Sequence, residues 1–371
     1  MKKINTRIKP EYAKILGLTI NKCGAYRITE EQYRELQEIR GKGKFEQHCE
    51  RQGINASDVS LYWDKTKEFS VLVRPESASK MTEDEFIDSL SSKLNKHSPK
   101  YNKLPELKLK SDNLLVIDIA DAHIGKLSSS YETGESYNIN IAKKRCLEGV
   151  NGIVSKGRAF GIDKILFIIG NDVLHYDTPR RTTTSGTPQD TDVMFYDMFN
   201  VALETHVEII EALIQEFHVD IMFCPSNHDY QSGWYFARTL ASWFRNCDRV
   251  TIDDSIAHRK YYRYGSNLIG ASHGDGAKMA DMPLLMANDV PDLWSLTKHR
   301  HVYLHHIHHK QRNQFQSGKD YIGVTVEYLR SPSASDSWHY RNGYVGAKKA
   351  IEGYIHNFND GQIARLTHYF V

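Results

Sequence analysis

Leu114-Leu115-Val116-Ile117-Asp118-Ile119-Ala120-Asp121-Ala122-His123 is a short apolar run that ends in a carboxylate and an imidazole. A run of this length, rich in aliphatic residues, predicts a buried strand rather than a helix. The same grammar recurs four times. Residues 165–169 run into Gly170-Asn171-Asp172, residues 219–224 lead to Asn227-His228-Asp229, residues 268–271 to His273-Gly274, and residues 302–304 to His305-His306-Ile307-His308. Helical periodicity over 140–157, 191–217 and 234–245 separates the early strands. In the second of these helices Phe195, Phe199, Ala202, Ile209 and Leu213 mark one face. Later, 321–328, 350–358 and 363–370 read as strands, the last two joined at Asp360-Gly361, a hairpin signal. Strands alternating with helices and followed by strands predict an α/β sandwich of mixed sheets.

Ligands of open α/β sheets gather beyond the carboxyl ends of the strands. Five strand ends bearing metal-type side chains therefore predict one shared site. Two divalent cations about 3.5–4 Å apart can hold an attacking hydroxide and a phosphoryl oxygen together. A two-oxygen carboxylate must bridge them, and Asp172 is assigned that place. Asp121, His123 and His308 complete one ion; Asn227, His273 and His306 complete the other. Imidazole, carboxylate and amide donors suit Mn first, with Fe, Zn or Ni also fitting, and argue against Ca. His228 is left over to protonate the leaving alkoxide, with Asp229 beside it to orient the ring.

These motifs resemble, in order, the five motifs of the calcineurin-like metallophosphoesterases. They are Asp121-x-His123, Asp172, Asn227-His228-Asp229, His273-Gly274 and His306-x-His308. The resemblance implies a four-layered α/β/β/α sandwich, a dinuclear metal centre and hydrolysis of phosphate esters. Asn-His-Asp resembles the DNA-repair exonuclease (SbcD-like) branch more than the Ser/Thr phosphatases. Two positions depart from the family pattern. Asn171 stands where Gly usually precedes the bridging Asp, which makes it a second candidate metal contact. His305 stands where Gly opens the last motif, so His305 with His308, or His306 with His309, is a competing pairing. The capping segment of SbcD-like nucleases follows their core, whereas here about sixty residues follow His309. An ATPase partner is therefore not implied.

The first part of the chain differs in character. Residues 1–75 hold 15 basic against 10 acidic residues, a net of +5, whereas the whole chain is +2. Residues 45–65 have helix-turn-helix spacing, with Cys49, Gly53, Val59 and Tyr62 at its small, turn and apolar positions. Thr29-Glu30-Glu31-Gln32 reads as a capped helix start. Residues 76–112 read as a linker around a short helix over 82–94. The expected domains are a helical, helix-turn-helix-like 1–75, a linker 76–112 and a metallophosphoesterase domain 113–371.

His175, on the loop after Asp172, is a candidate contact for substrate phosphate. Arg180 and Arg181, in the polar segment 176–191, are candidates for a phosphodiester backbone. The resulting expectation is a phosphodiester hydrolase with nucleic acid as partner, DNA favoured, and a homodimer compatible. The alternatives are a phosphoesterase for cyclic nucleotides or nucleotide derivatives, and a binding scaffold on the same fold. No run approaches 18 apolar residues, so no membrane span is expected. Five scattered cysteines without a CxxC pair exclude a zinc ribbon and favour a reducing, cytoplasmic setting.

Overall fold

The computed structural model describes residues 99–101, 103–107, 111–307 and 318–370, and, before these, residues 3–6, 18, 26–29, 31, 32, 34, 36, 62–65 and 70–73. The chain divides into two compact units, Met1–Asn95 and Lys96–Val371.

In the first unit, β1 (Lys3–Thr6) pairs antiparallel with β2 (Tyr26–Thr29). Thr29 then starts a helical turn through a reciprocal cap. The Thr29 amide donates to Gln32 Oε1 at 3.1 Å and the Gln32 amide to Thr29 Oγ1 at 3.2 Å, which satisfies two otherwise orphaned donors. The helix-turn-helix expectation is corrected at its end. Tyr62–Lys65 is a strand, β3, paired antiparallel with β4 (Ser70–Val73). Aromatic and β-branched residue types, frequent in these two segments, favour extended backbone. The remainder of 45–65 and the helix expected over 82–94 lie outside the described residues.

In the second unit, β5 (Asn113–Asp118), β6 (Lys164–Gly170), β7 (His218–Cys224) and β8 (Val250–Asp253) are parallel neighbours. The hairpin of β14 (Ala350–Asn357) and β15 (Gly361–Tyr369) adds antiparallel to β5, making six strands in the order β15-β14-β5-β6-β7-β8. A second sheet has the order β12-β13-β11-β10-β9. Its strands are β9 (Lys260–Tyr264), β10 (Asn267–Ser272), β11 (His299–Leu304), β12 (Gly318–Tyr321) and β13 (Val324–Tyr328). The single strand expected over 321–328 is thus two, folded back at Ile322-Gly323, where Gly323 takes φ 80°.

Alternation along β5 explains the layering. After the short α1 (Ser130–Thr133) come the helices with which Leu115 and Ile117 share a core, α2 (Ile139–Gly157), α3 (Phe195–Leu213) and α4 (Tyr230–Phe244). Leu114 and Val116 enter the core between the sheets, against Ile269, Ala271 and Tyr303. A third core lies on the far face of the second sheet, where Leu268, Val302 and Val326 meet α5 (Met282–Asp289), which the short α6 (Pro291–Ser295) follows. The layers are helices, sheet, sheet, helices. All four β5 side chains named here are fully buried, each worth about 1.5–3 kcal/mol of transfer free energy.

The stretch before β5 is not a bare tether. Tyr101 stacks on Phe244 with ring centroids 5.7 Å apart and donates its hydroxyl to Glu211 at 2.7 Å. Trp243 Nε1 donates to the same hydroxyl at 3.3 Å. An aromatic ring with a satisfied hydroxyl is enough to pin an otherwise polar stretch. Among the described residues no helix is long and apolar enough to cross a membrane.

Candidate metal centre

The strand ends of β5, β6, β7, β10 and β11 converge, and the backbone there is unusual. Six non-glycine residues among those described have positive φ, and five belong to these turns: Asp121 (52°), His123 (45°), Asn171 (51°), Asp172 (62°) and His306 (70°). Asn, Asp and His tolerate this region better than other side chains, but each such residue still costs about 1–3 kcal/mol. The turns are held by their neighbours. The Asp121 amide donates to Asn171 O at 2.9 Å, His123 to Asp172 O at 2.8 Å and Asn171 to Cys224 O at 3.0 Å. Tyr137 and Ser331 hydroxyls donate to the carbonyls of Ala122 and Asp121. Gly170, at φ 90°, lets the second turn pass over β7, since a Cβ there would stand 2.3 Å from Cys224 O.

Asp172 is fully buried and sits between two groups of donors. Asp121, His123 and Asp172 bring ligand atoms within 4.8 Å of one another, and so do Asp172, His273 and His306. Asp172 Oδ1 accepts the His228 amide at 3.0 Å. Its Oδ2 receives no hydrogen bond of good geometry, yet lies 3.2 Å from His273 Nε2 and 3.8 Å from His123 Nε2. His273 Nε2 also lies 2.7 Å from Asn227 Oδ1 and 3.2 Å from His306 Nδ1. Donor atoms bonded at about 2.0–2.1 Å to one ion are about 3 Å apart, so this set fits divalent transition-metal ions. Its mixture of imidazole, carboxylate and amide oxygen fits the same class.

The electrostatics agree with a site built for added positive charge. Burial pushes the Asp121 carboxyl up to about 7, with His273 opposing and Asp172 reinforcing. Burial works against the charged form of His273, but Asp172 and Asp121 raise it to about 9. Burial likewise opposes ionisation of Asp172, and His273 and His228 nevertheless hold it well below the carboxylate range. Bound cations would replace the protons that now balance these carboxylates.

His228 Nδ1 donates to His175 O at 2.8 Å, which fixes the tautomer and leaves Nε2 as the exchangeable nitrogen. The expectation that Asp229 orients this ring is corrected. Asp229 is buried, and its oxygens accept Ser226 Oγ at 2.5 Å and the Leu174 amide at 2.8 Å. Its place is to brace the turn beneath the site, because Ser226 Oγ also accepts the Asp172 amide at 2.7 Å.

His175 is buried but lines the cavity at the site, its Nδ1 3.4 Å from His123 Nδ1 and its ring stacked on His228. Burial, then His228 and Lys126, hold it well below the ordinary histidine range. Arg180 and Arg181 are exposed and line no part of the cavity at the site; Arg181 reaches Met194 Sδ instead. His308 and His309 lie outside the described residues.

The two departures from the family pattern touch each other. His305 is fully buried, with Nδ1 on Ser272 O and Nε2 on Asp118 Oδ2, both at 2.8 Å. Burial lowers it, but Asp118 outweighs this and raises it, as suits a ring whose two nitrogens both meet acceptors. Asn171 Nδ2 lies 3.2 Å from His305 Nε2. His305 therefore packs beneath the centre, and of this adjacent pair it is His306 that joins the donors.

A cavity of about 500 Å³ opens beside these residues. It is lined in part by Lys126, Asp336, Trp338, His339 and Tyr344, none of which sequence reasoning singled out. Lys126 is 1% exposed and pairs with Asp336 at 2.9 Å. Asp336 also contacts His339 Nδ1 at 2.6 Å. Burial would raise the Asp336 carboxyl, but His339 and Lys126 hold it well below its usual range. Lys126 falls three residues past His123, and that short spacing was the available signal. The Asp336 segment follows no strand end with ligands and carried none.

No protein-family model matches the chain, and no curated protein matches it. Among solved structures, a double mutant of Vps29 from Entamoeba histolytica is similar over 70% of this chain and 99% of its own. The identity is 11% and the TM-score 0.24. A likeness this loose assigns neither family nor activity.

Proposed function

We propose that this chain is a phosphodiester hydrolase that works with two divalent metal ions and acts on nucleic acid, DNA first. The observation that carries the reading is Asp172, one buried carboxylate shared by two convergent donor groups. Asp121, His123 and Asp172 would hold one ion, and Asp172, Asn227, His273 and His306 the other. Bound there, the ions supply an activated hydroxide and draw charge from a phosphoryl oxygen. The chain does the rest. The His228 amide fixes one oxygen of Asp172, so that the other faces the two imidazoles. The His228 ring, fixed through Nδ1, presents Nε2 for proton delivery to the leaving alkoxide. The order of the strand-end motifs supports a metallophosphoesterase, and the net charge of +5 over residues 1–75 supports a polyanionic substrate.

A nucleotide-sized diester is the second reading, favoured by the cavity of about 500 Å³, a volume typical of small-ligand sites. Protein purified without chelator and supplied with Mn²⁺ should hold two ions per chain and hydrolyse bis(p-nitrophenyl) phosphate. Cleavage of single- or double-stranded DNA selects the first reading, and cleavage of small diesters alone the second. A chain that takes up no transition metal and hydrolyses neither is a scaffold, and the proposal is lost.

A further inference from the structure

The cavity lining carries an aromatic surface that the phosphodiesterase chemistry does not use. Trp338 lines the cavity yet is 62% exposed. Tyr344 stacks against it, with ring centroids 5.5 Å apart and an interplanar angle of 27°. Tyr344 stacks on the indole and the His339 ring meets it edge-on at 5.2 Å, yet more than half of the Trp338 surface stays exposed. A large aromatic ring left open contributes little to the core, and beside a polar cavity it is a contact waiting for a ligand.

The surface is also rigidly mounted. Trp338 belongs to α7 (Ser337–Arg341), whose N-cap Asp336 accepts the His339 amide at 2.9 Å. The Tyr344 amide donates to His339 O at 2.8 Å, and the Asn342 amide to Trp338 O at 3.1 Å. Asp336 is tied in turn to the buried Lys126, in the turn that carries His123. The indole is thereby held in a fixed relation to the metal-type donors, without the ordering cost that a loose side chain would meet on binding. Thr183, Thr187 and Gln189 line the same cavity and give it a polar side.

We infer that Trp338, backed by Tyr344, is a stacking platform for a nucleobase of the substrate whose phosphodiester lies at the metal centre. This rests on the phosphodiesterase reading and adds to it the group that holds the base, which a simple aryl or alkyl phosphate lacks. Every base has a π-face, so the platform selects nucleosides without selecting a base.

The test compares two diesters with one leaving group, thymidine 5′-(p-nitrophenyl phosphate) and methyl p-nitrophenyl phosphate, in Mn²⁺. In the wild type kcat/KM favours the thymidine ester. In Trp338→Ala the ratio of the two values should fall by about 5- to 100-fold, the usual worth of one stacked base. Trp338→Phe should restore most of it. An unchanged ratio overturns the inference, as does an equal loss on both substrates, which would place the nitrophenyl ring on the indole. If the wild type hydrolyses neither ester, binding decides the platform on its own, and the phosphodiesterase reading itself has failed only if DNA is left intact as well. Thymidine 5′-phosphate should then quench the wild-type tryptophan emission and quench Trp338→Ala measurably less. Equal quenching and affinity in the two proteins would rule the platform out.

Discussion

Adjacent residues at the centre do different work because their backbones differ. His305 continues the β11 direction and turns its ring inward to Asp118, whereas His306, at φ 70°, brings its ring back to His273. Asp172 and Asp229 differ in the same way: one faces donors that a cation can share, the other is spent on Ser226 and Leu174. His228 is bound to this frame through its backbone amide and one ring nitrogen. His228→Ala keeps the amide bond to Asp172, so it should retain both metal ions while kcat falls by about 10²- to 10⁴-fold. Metal analysis and steady-state rates on the same preparation check this, and wild-type turnover in the variant would remove His228 from proton transfer. That Asp172 and His228 come together was legible, because each follows an apolar strand by a few residues. The oxygen that orients His228 was not, because it is the carbonyl of His175, more than fifty positions away.

At the scale of elements, the strands position the donors and the turns aim them. The β5 and β6 turns are bonded backbone to backbone, so the strained residues of one are supported by the other. Short α7 depends on one side chain, since Asp336 caps it, pairs with buried Lys126 and contacts His339. Removing it strands a buried ammonium and frees the turn that carries Trp338. Asp336→Ala should cost about 3–5 kcal/mol of unfolding free energy, the usual cost of breaking a buried ion pair. Urea unfolding measures it, and a loss below about 1 kcal/mol would show that the pair is not structural. Elements with strong local signals were legible: the β5 run, the helix periodicities and the Thr29–Gln32 cap. The helix-turn-helix spacing over 45–65 misled at Tyr62, where β-favouring aromatics pair with a strand eight residues on. A spacing of small and apolar residues carries no information about that pairing.

Across the whole molecule, the layered cores bury histidines that play no part in the site. His206 lies between Phe167 and Phe236, with ring centroids 6.0 and 4.9 Å away, and Nδ1 donates to Ala202 O. Burial lowers its pKa to about 4. An unfolded chain takes up this proton near pH 6.5, so the stability due to neutral His206 is present above that pH and lost as the pH falls toward 4. His206→Phe has no proton to gain. Its stability relative to wild type should therefore improve by about 2 kcal/mol between pH 7 and pH 5. Urea midpoints for both proteins at the two pH values test this, and a difference independent of pH would count against a buried neutral ring.

By itself the sequence predicted that strands end in metal-type side chains, that helices separate them, and that Asp121, His123, Asp172, Asn227, His273 and a pair from His305, His306, His308 and His309 are the residues to bring together. Those features are written in local periodicity and in the few positions after each strand. Only the tertiary structure decided which neighbour faces the centre, that Asp229 braces a turn and leaves His228 to a carbonyl, that Arg180 and Arg181 do not line the cavity, and that Lys126, Asp336 and Trp338 do. These outcomes depend on backbone direction at single turns and on contacts between segments as distant as Lys126 and Asp336. Side-chain spacing along a chain does not encode such contacts until the sheets have stacked.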